Sequence, residues 1–249
     1  MLIVANWKAY VEDVSKAKKL FAISKRLAAR TKHQIILAPS MPHLGLLAHG
    51  NKSKVAFAAQ DVSFTTGGAK TGEVSAQTLS KLAVAYAIVG HSERRALGET
   101  DEMIAQKARH ALAHGVVPIL CVGEHERDGG AVYLSFIRNQ IQKVMAPLSQ
   151  KERMAIVIAY EPVWAIGKTA ADALPASDVG EMVSYIRKIM SDFLPGKAPA
   201  KIAILYGGSV EPENARDLAG ASGIDGFLIG HASVDPEMFS ALVQAMHVY

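Results

Sequence analysis

The sequence contains one cysteine, Cys121, in 249 residues. A single thiol excludes an internal disulfide and any zinc site built on several cysteines, and it fits a reducing cytoplasm. Long apolar runs are also missing. No stretch reaches the roughly 18 residues that read as a membrane-spanning helix, so no membrane partner is expected. The opening MLIVANWK carries no basic segment ahead of its apolar residues, which argues against a secretory leader. Excess charge is small: 27 basic against 23 acidic side chains give a formal net charge of +4. The densest basic stretch, Lys16, Lys18 and Lys19, sits in a helical pattern with acids just before it. A nucleic-acid surface shows a concentrated basic stripe with aromatics beside it, and aromatics are only 6% here. No linker, low-complexity tract or break in composition divides the chain, so residues 1–249 are expected to form one domain.

What is present is an alternating pattern. Eight short apolar runs read as strands: Leu2–Ala5, Gln34–Leu37, Val55–Ala59, Val84–Val89, Val116–Cys121, Ala155–Ala159, Ile202–Leu205 and Gly226–Ile229. They are continuous rather than alternating, which suits parallel strands buried on both faces. Helical periodicity follows over Asp13–Arg30, Asp101–His114, Ala131–Met145, Asp178–Phe193 and Pro236–Val243. Gly115 supplies a stop signal after His114, and Ser177 a start signal before Asp178. Eight β-then-α units in a chain of this length predict an α/β fold, a single (β/α)8 barrel of parallel strands with outer helices. The rival, a doubly wound open sheet, usually carries a glycine-rich loop after its first strand. Here that strand runs into Asn6-Trp7-Lys8.

Active sites of such barrels lie at the C-terminal ends of the strands. The residues there are chemically distinctive: Asn6 and Lys8; Gln60 and Asp61; His91, Ser92 and Glu93; Cys121 and Glu124; Glu161; Gly207, Gly208 and Ser209; Gly230 and His231. One carboxylate, one imidazole and one ammonium suit proton transfer beside a carbonyl. Glycine-rich turns expose backbone N–H groups that hold phosphate. This chemistry needs neither cofactor nor metal. Each residue has a bland reading alone, as a salt-bridged acid, a core histidine or a solvated lysine; their placement on successive strand ends gives them weight. Cys121 reads as a small buried residue. Gly167-Lys168-Thr169 ends like a P-loop, but Pro162 stands where its first glycine belongs. His110 and His114 lack the glutamate of a zinc-protease helix.

Seven segments resemble the triosephosphate isomerase family in its own order: Asn6-Trp7-Lys8, Ala59–Val62, Thr71–Ser75, Val89–Arg95, Cys121–Glu124, Ala159–Gly167 and Tyr206–Val210. The resemblance implies a TIM barrel that interconverts dihydroxyacetone phosphate and glyceraldehyde 3-phosphate through an enediolate, without a cofactor. It implies Glu161 as the base, His91 as the electrophile, Lys8 as the stabilising cation and Asn6 as a contact to substrate oxygen. Glu93 would support Lys8 and the proton network. Gly167, Ser209, Gly230 and His231 would contact phosphate. A short helix capped by Ser92 would turn its positive end toward His91. The family is a homodimer, and by resemblance Thr71, in the loop around Thr65–Glu73, reaches toward the partner's site. Another phosphosugar isomerase, or a catalytically weak phosphate-binding barrel kept for interactions, remains the alternative.

The chain departs from the family in places. After Glu161 the family lid usually reads Ala-Ile-Gly-Thr-Gly-Lys-Thr-Ala. Here Ala165-Ile166-Gly167 runs directly into Lys168-Thr169-Ala170, with an extended stretch to Ser177. Either the lid tip lost two residues or the second hinge was rebuilt. The eighth turn, usually two glycines, is Gly230-His231. If that position needs positive φ, a histidine there costs roughly 1 kcal/mol. The expectation is that its N–H donates to phosphate and its imidazole points away from the ligand. Asp61, where Asn is commoner, reads as a tolerated polar exchange.

Overall fold

A computed structural model describes residues 1–127, 129–167, 173–221 and 223–246. Eight parallel strands close on themselves: β1 Leu2–Asn6, β2 Gln34–Ala38, β3 Ala56–Ala59, β4 Tyr86–Val89, β5 Val117–Val122, β6 Val157–Tyr160, β7 Ile204–Tyr206 and β8 Gly226–Ile229. Leu2 pairs with Gln34 on one side and Gly226 on the other, which shuts the barrel between β8 and β1. The expected barrel is the observed one.

The continuous apolar runs have a direct cause. Alternate residues face opposite ways, and both ways are buried. Val4, Ile36, Ala58, Ile88, Ile119, Val157, Leu205 and Leu228 form one cluster inside the barrel. Their neighbours, such as Ile3, Ile35, Phe57 and Phe227, join the larger layer beneath the helices.

The helices are α1 Val14–Arg30, α2 Met41–Ala48, α3 Ala76–Lys81, α4 Ser92–Ala96, α5 Asp101–Ala113, α6 Val132–Met145, α7 Gln150–Met154, α8 Ala176–Met190, α9 Pro212–Ala221 and α10 Pro236–Ala245. Asp13 caps α1 by accepting from the N–H groups of Ser15 and Lys16, and Leu20, Ile23 and Ala28 seat its apolar face. Thr100 caps α5 in the same manner, and His114 ends it just before Gly115, as the stop signal predicts. Helix α8 starts at Ala176, behind Pro175, so Ser177 lies inside the first turn rather than at its start; its hydroxyl donates to Asp178 instead, at 3.1 Å.

Five strands, β3 to β7, begin later than the apolar runs suggest. Val84 N–H bonds to Leu79 O in the turn after α3, Ala155 closes α7, and Ile202 N–H bonds to Pro199 O. Apolar character marks burial, and Val84 and Ile202 are buried in these turns, whereas Ala155 is exposed. At the other end β1, β2, β5, β6 and β7 each extend one residue further than the runs suggest, which carries Asn6 onto the barrel rim itself.

Candidate active site

The rim side chains are built from the strands outward. Asn6, the last residue of β1, is buried, and its Oδ1 accepts the Lys8 N–H at 3.1 Å. Lys8 sits at φ +46°, a left-handed conformation unusual for a lysine. Gln60 Nε2 holds this turn by donating to Lys8 O at 2.9 Å and Ala38 O at 2.8 Å. A strained residue clamped this way is held for where its side chain goes. Lys8 Nζ lies 2.7 Å from Glu93 Oε1, an ion pair across the barrel mouth.

His91 follows β4 and is itself the N-cap of α4. Its Nδ1 accepts the Glu93 N–H at 3.2 Å. This corrects the assignment of Ser92 as the cap. Ranked propensities favour serine, but Ser92 is already the first residue inside the helix, which leaves the cap position to His91. An Nδ1 that accepts a backbone N–H carries no proton, so the ring is the Nε2–H tautomer. Nε2 lies 3.2 Å from Glu161 Oε1. Ser92 serves elsewhere: its N–H donates to Glu161 Oε2 at 3.3 Å. Glu161, just beyond β6, is 2% exposed, with its own N–H on Val122 O at 2.8 Å. The carboxylate therefore touches imidazole and α4 backbone together.

Two glycines leave room for this arrangement. A Cβ on Gly207 would lie 2.8 Å from Glu161 Cγ, and one on Gly208 would collide with the Tyr206 hydroxyl. Cys121 lies beneath the carboxylate. Burial first, then the Glu161 charge, pushes its thiol well above the usual range, so it stays protonated and buried, as the sequence suggests.

The start of the lid is tied down by residues that the sequence did not single out for it. Glu124 Oε1 accepts from the Tyr160 hydroxyl at 2.9 Å, Trp164 Nε1 at 3.0 Å and Arg127 Nε at 3.3 Å. Burial and the Glu124 charge together hold the Tyr160 hydroxyl far above its ordinary range. Ser209 Oγ donates to Ala165 O at 3.0 Å, so this residue meets the lid as well as the cavity. Gly167 has φ +75°. Lys168, Thr169 and Ala170 lie outside the described residues.

Asn6, Lys8, His91, Glu93, Glu161, Gly167, Ser209, Gly230 and His231 all border one cavity of about 400 Å³. Thr71 does not; it stands on an exposed loop. Tyr10 and Glu211 also border the cavity, and no motif in the sequence marked them. His231 does not have the positive φ anticipated for it. It opens a tight 3-10 turn, His231–Val234, free of that strain, and its ring meets Tyr10 edge to face at 5.9 Å. Asp61 proves more than a neutral exchange. With Glu99 it binds Lys107 at 2.6 and 2.5 Å, and both acids also pair with Arg94.

A carboxylate against an Nε2–H imidazole, with an ammonium across the same small cavity, can move a proton at carbon while polarising a neighbouring carbonyl. The comparisons with known proteins agree with this chemistry. The family model described as triosephosphate isomerase matches residues 1–246. The triosephosphate isomerase of Thermus thermophilus is 42% identical over 251 residues, covering 98% of this chain and 98% of that protein. Barrel, rim chemistry and near-complete sequence match lead to one conclusion: the chain belongs to the triosephosphate isomerase family.

Proposed function

We propose that Glu161 is the base of the isomerisation and His91 its electrophile. The observation that carries this reading is the 3.2 Å contact between Glu161 Oε1 and His91 Nε2 at the mouth of the barrel. Glu161 removes the proton from the carbon next to the carbonyl and returns it to the neighbouring carbon. His91 Nε2–H donates to the carbonyl oxygen and shuttles the proton between the two oxygens. Lys8 balances the negative charge of the enediolate and of the phosphate, steadied by its pair with Glu93. Asn6 contacts substrate oxygen. Gly167, Ser209, Gly230 and His231 contact phosphate, the backbone N–H groups of the two turns being its donors. Closure of the lid excludes water from the enediolate.

The test is Glu161→Asp, assayed by coupled isomerase turnover. The carboxylate retracts by about one bond, and turnover falls on the order of 10²-fold. Near-normal turnover contradicts the assignment of the base.

The chain functions as one barrel domain in the cytoplasm and as a homodimer. Four large apolar side chains are exposed on the connections that follow the first, second and fourth strands: Tyr10, Val14, Leu46 and Leu97. Leu97 is 76% exposed, more than any other large apolar residue described. Exposed apolar side chains of this size suit burial against a second copy. By resemblance to the family, the exposed loop carrying Thr71 inserts beside the partner's Asn6 and Lys8.

A further inference from the structure

We propose that His231 is a specificity-determining residue of this site: in its protonated form it is a second cation beside Lys8 that strengthens binding of the substrate's phosphate. The inference deepens the proposed function and rests on that reading of the cavity. It replaces the expectation that the imidazole faces away.

His231 borders the cavity, and so does Tyr10, the residue its ring packs against. The edge-to-face contact, with an interplanar angle of 79°, fixes the ring beside the opening rather than leaving it to sweep through solvent. The preceding residue, Gly230, adjoins the catalytic-side cation: a Cβ there would sit 3.5 Å from Lys8 Cε and 3.8 Å from Nζ. His231 therefore follows directly on the segment that Lys8 already serves.

The charges around it make a proton on this ring consequential. Glu211, on the connection after β7, borders the same cavity. Burial raises its carboxyl, nearby Glu213 raises it further, and His231 pulls the other way. Asp235, the N-cap of α10, is lowered chiefly by the Met238 N–H, with Lys16 of α1 and His231 adding to the effect. The ring packs on Tyr10 of the β1 connection and acts electrostatically on Glu211 of the β7 connection and Asp235 of its own segment, while Lys8 borders the same cavity. With the ring neutral, Glu211 opposes an incoming phosphate and Lys8 alone answers it. With the ring protonated, a second cation offsets Glu211.

Imidazole is the side chain that ordinarily changes charge between about pH 5 and pH 8. His231 is exposed, so its field is partly screened. A unit charge near an anion at a partly solvated site changes affinity about three- to tenfold.

Sulfate is the suitable probe, because its own charge is constant over this range, unlike that of a phosphate ester. The inhibition constant of inorganic sulfate against triose phosphate turnover is measured for the wild type and His231→Gln at about pH 5.5 and about pH 8.5. The wild type is expected to bind sulfate about threefold or more tightly than the variant at the lower pH, and about equally at the higher. A ratio that does not change with pH, in a wild type that turns over triose phosphate, overturns the role of His231 and leaves the proposed function standing. A wild type without turnover overturns the proposed function itself.

Discussion

Replacing Gly207 by alanine is a direct physical test of how Glu161 is held. The added Cβ lies 2.8 Å from Glu161 Cγ, 3.4 Å from Oε1 and 3.5 Å from Tyr160 O. Carbon atoms rest at about 3.5–4.0 Å, so the carboxylate arm must retreat by about 1 Å. The substitution leaves every titratable group in place. Gly207 does not need positive φ, and its N–H bond to Tyr160 O, at 2.8 Å, survives an alanine. The perturbation is therefore a displacement of the base and little else. A misplacement of this size costs on the order of 10²-fold in turnover, or about 2.7 kcal/mol of barrier. The assay is coupled isomerase turnover at saturating substrate, read beside thermal unfolding. A variant that keeps its melting temperature and turns over within about threefold of the wild type would refute the reasoning. In that event the carboxylate acts from a position that Gly207 does not constrain.

Other consequences follow from the charges away from the cavity and from the exposed rim. Lys107 is 3% exposed and bridges Asp61 and Glu99, so Lys107→Met leaves two acids with Arg94 alone and costs about 3–5 kcal/mol in urea unfolding. Burial raises the Asp61 carboxyl from an ordinary value of 3.8, outweighing the pull of Lys107. Its contribution to stability is thus full below that value and declines as pH rises through the higher folded-state value. Asp61→Asn removes this decline, so the wild type loses stability relative to the variant as pH rises from about 4 toward neutrality; an unchanged difference in urea midpoints would contradict it. Leu97→Glu places a charge on the most exposed apolar position of the rim and is expected to shift the chain from dimer to monomer in sedimentation; an unaltered dimer would remove Leu97 from the interface.

Much of this site was legible in the sequence because parallel strands buried on both faces leave an unbroken apolar signature. Where each run stops, the rim begins, and Asn6, Lys8, His91 and Glu161 stand at those stops. Local rules failed where three-dimensional contact decides. His91 caps α4 through an imidazole nitrogen, although Ser92 is the better cap by propensity. Gln60 clamps the Lys8 turn, and Glu124 gathers Tyr160, Trp164 and Arg127, through distant residues that no spacing connects. Helix α2 has apolar residues nearly all round and α7 is a single capped turn, so neither carries a clear amphipathic period. Tyr10 and Glu211 reach the cavity because of how their turns fold, and residue type alone does not mark them.

The central claim is that Glu161 takes a proton from carbon and gives it back. The measurement that tests it most directly is turnover of a triose phosphate in deuterium oxide, with the product read by NMR for the wild type and Glu161→Gln. A proton held by a carboxylate exchanges with solvent, so the wild type places deuterium on the carbon that receives it, and the variant, lacking a base, forms no labelled product at a comparable rate. Product formed equally fast by Glu161→Gln, labelled or not, would contradict the account.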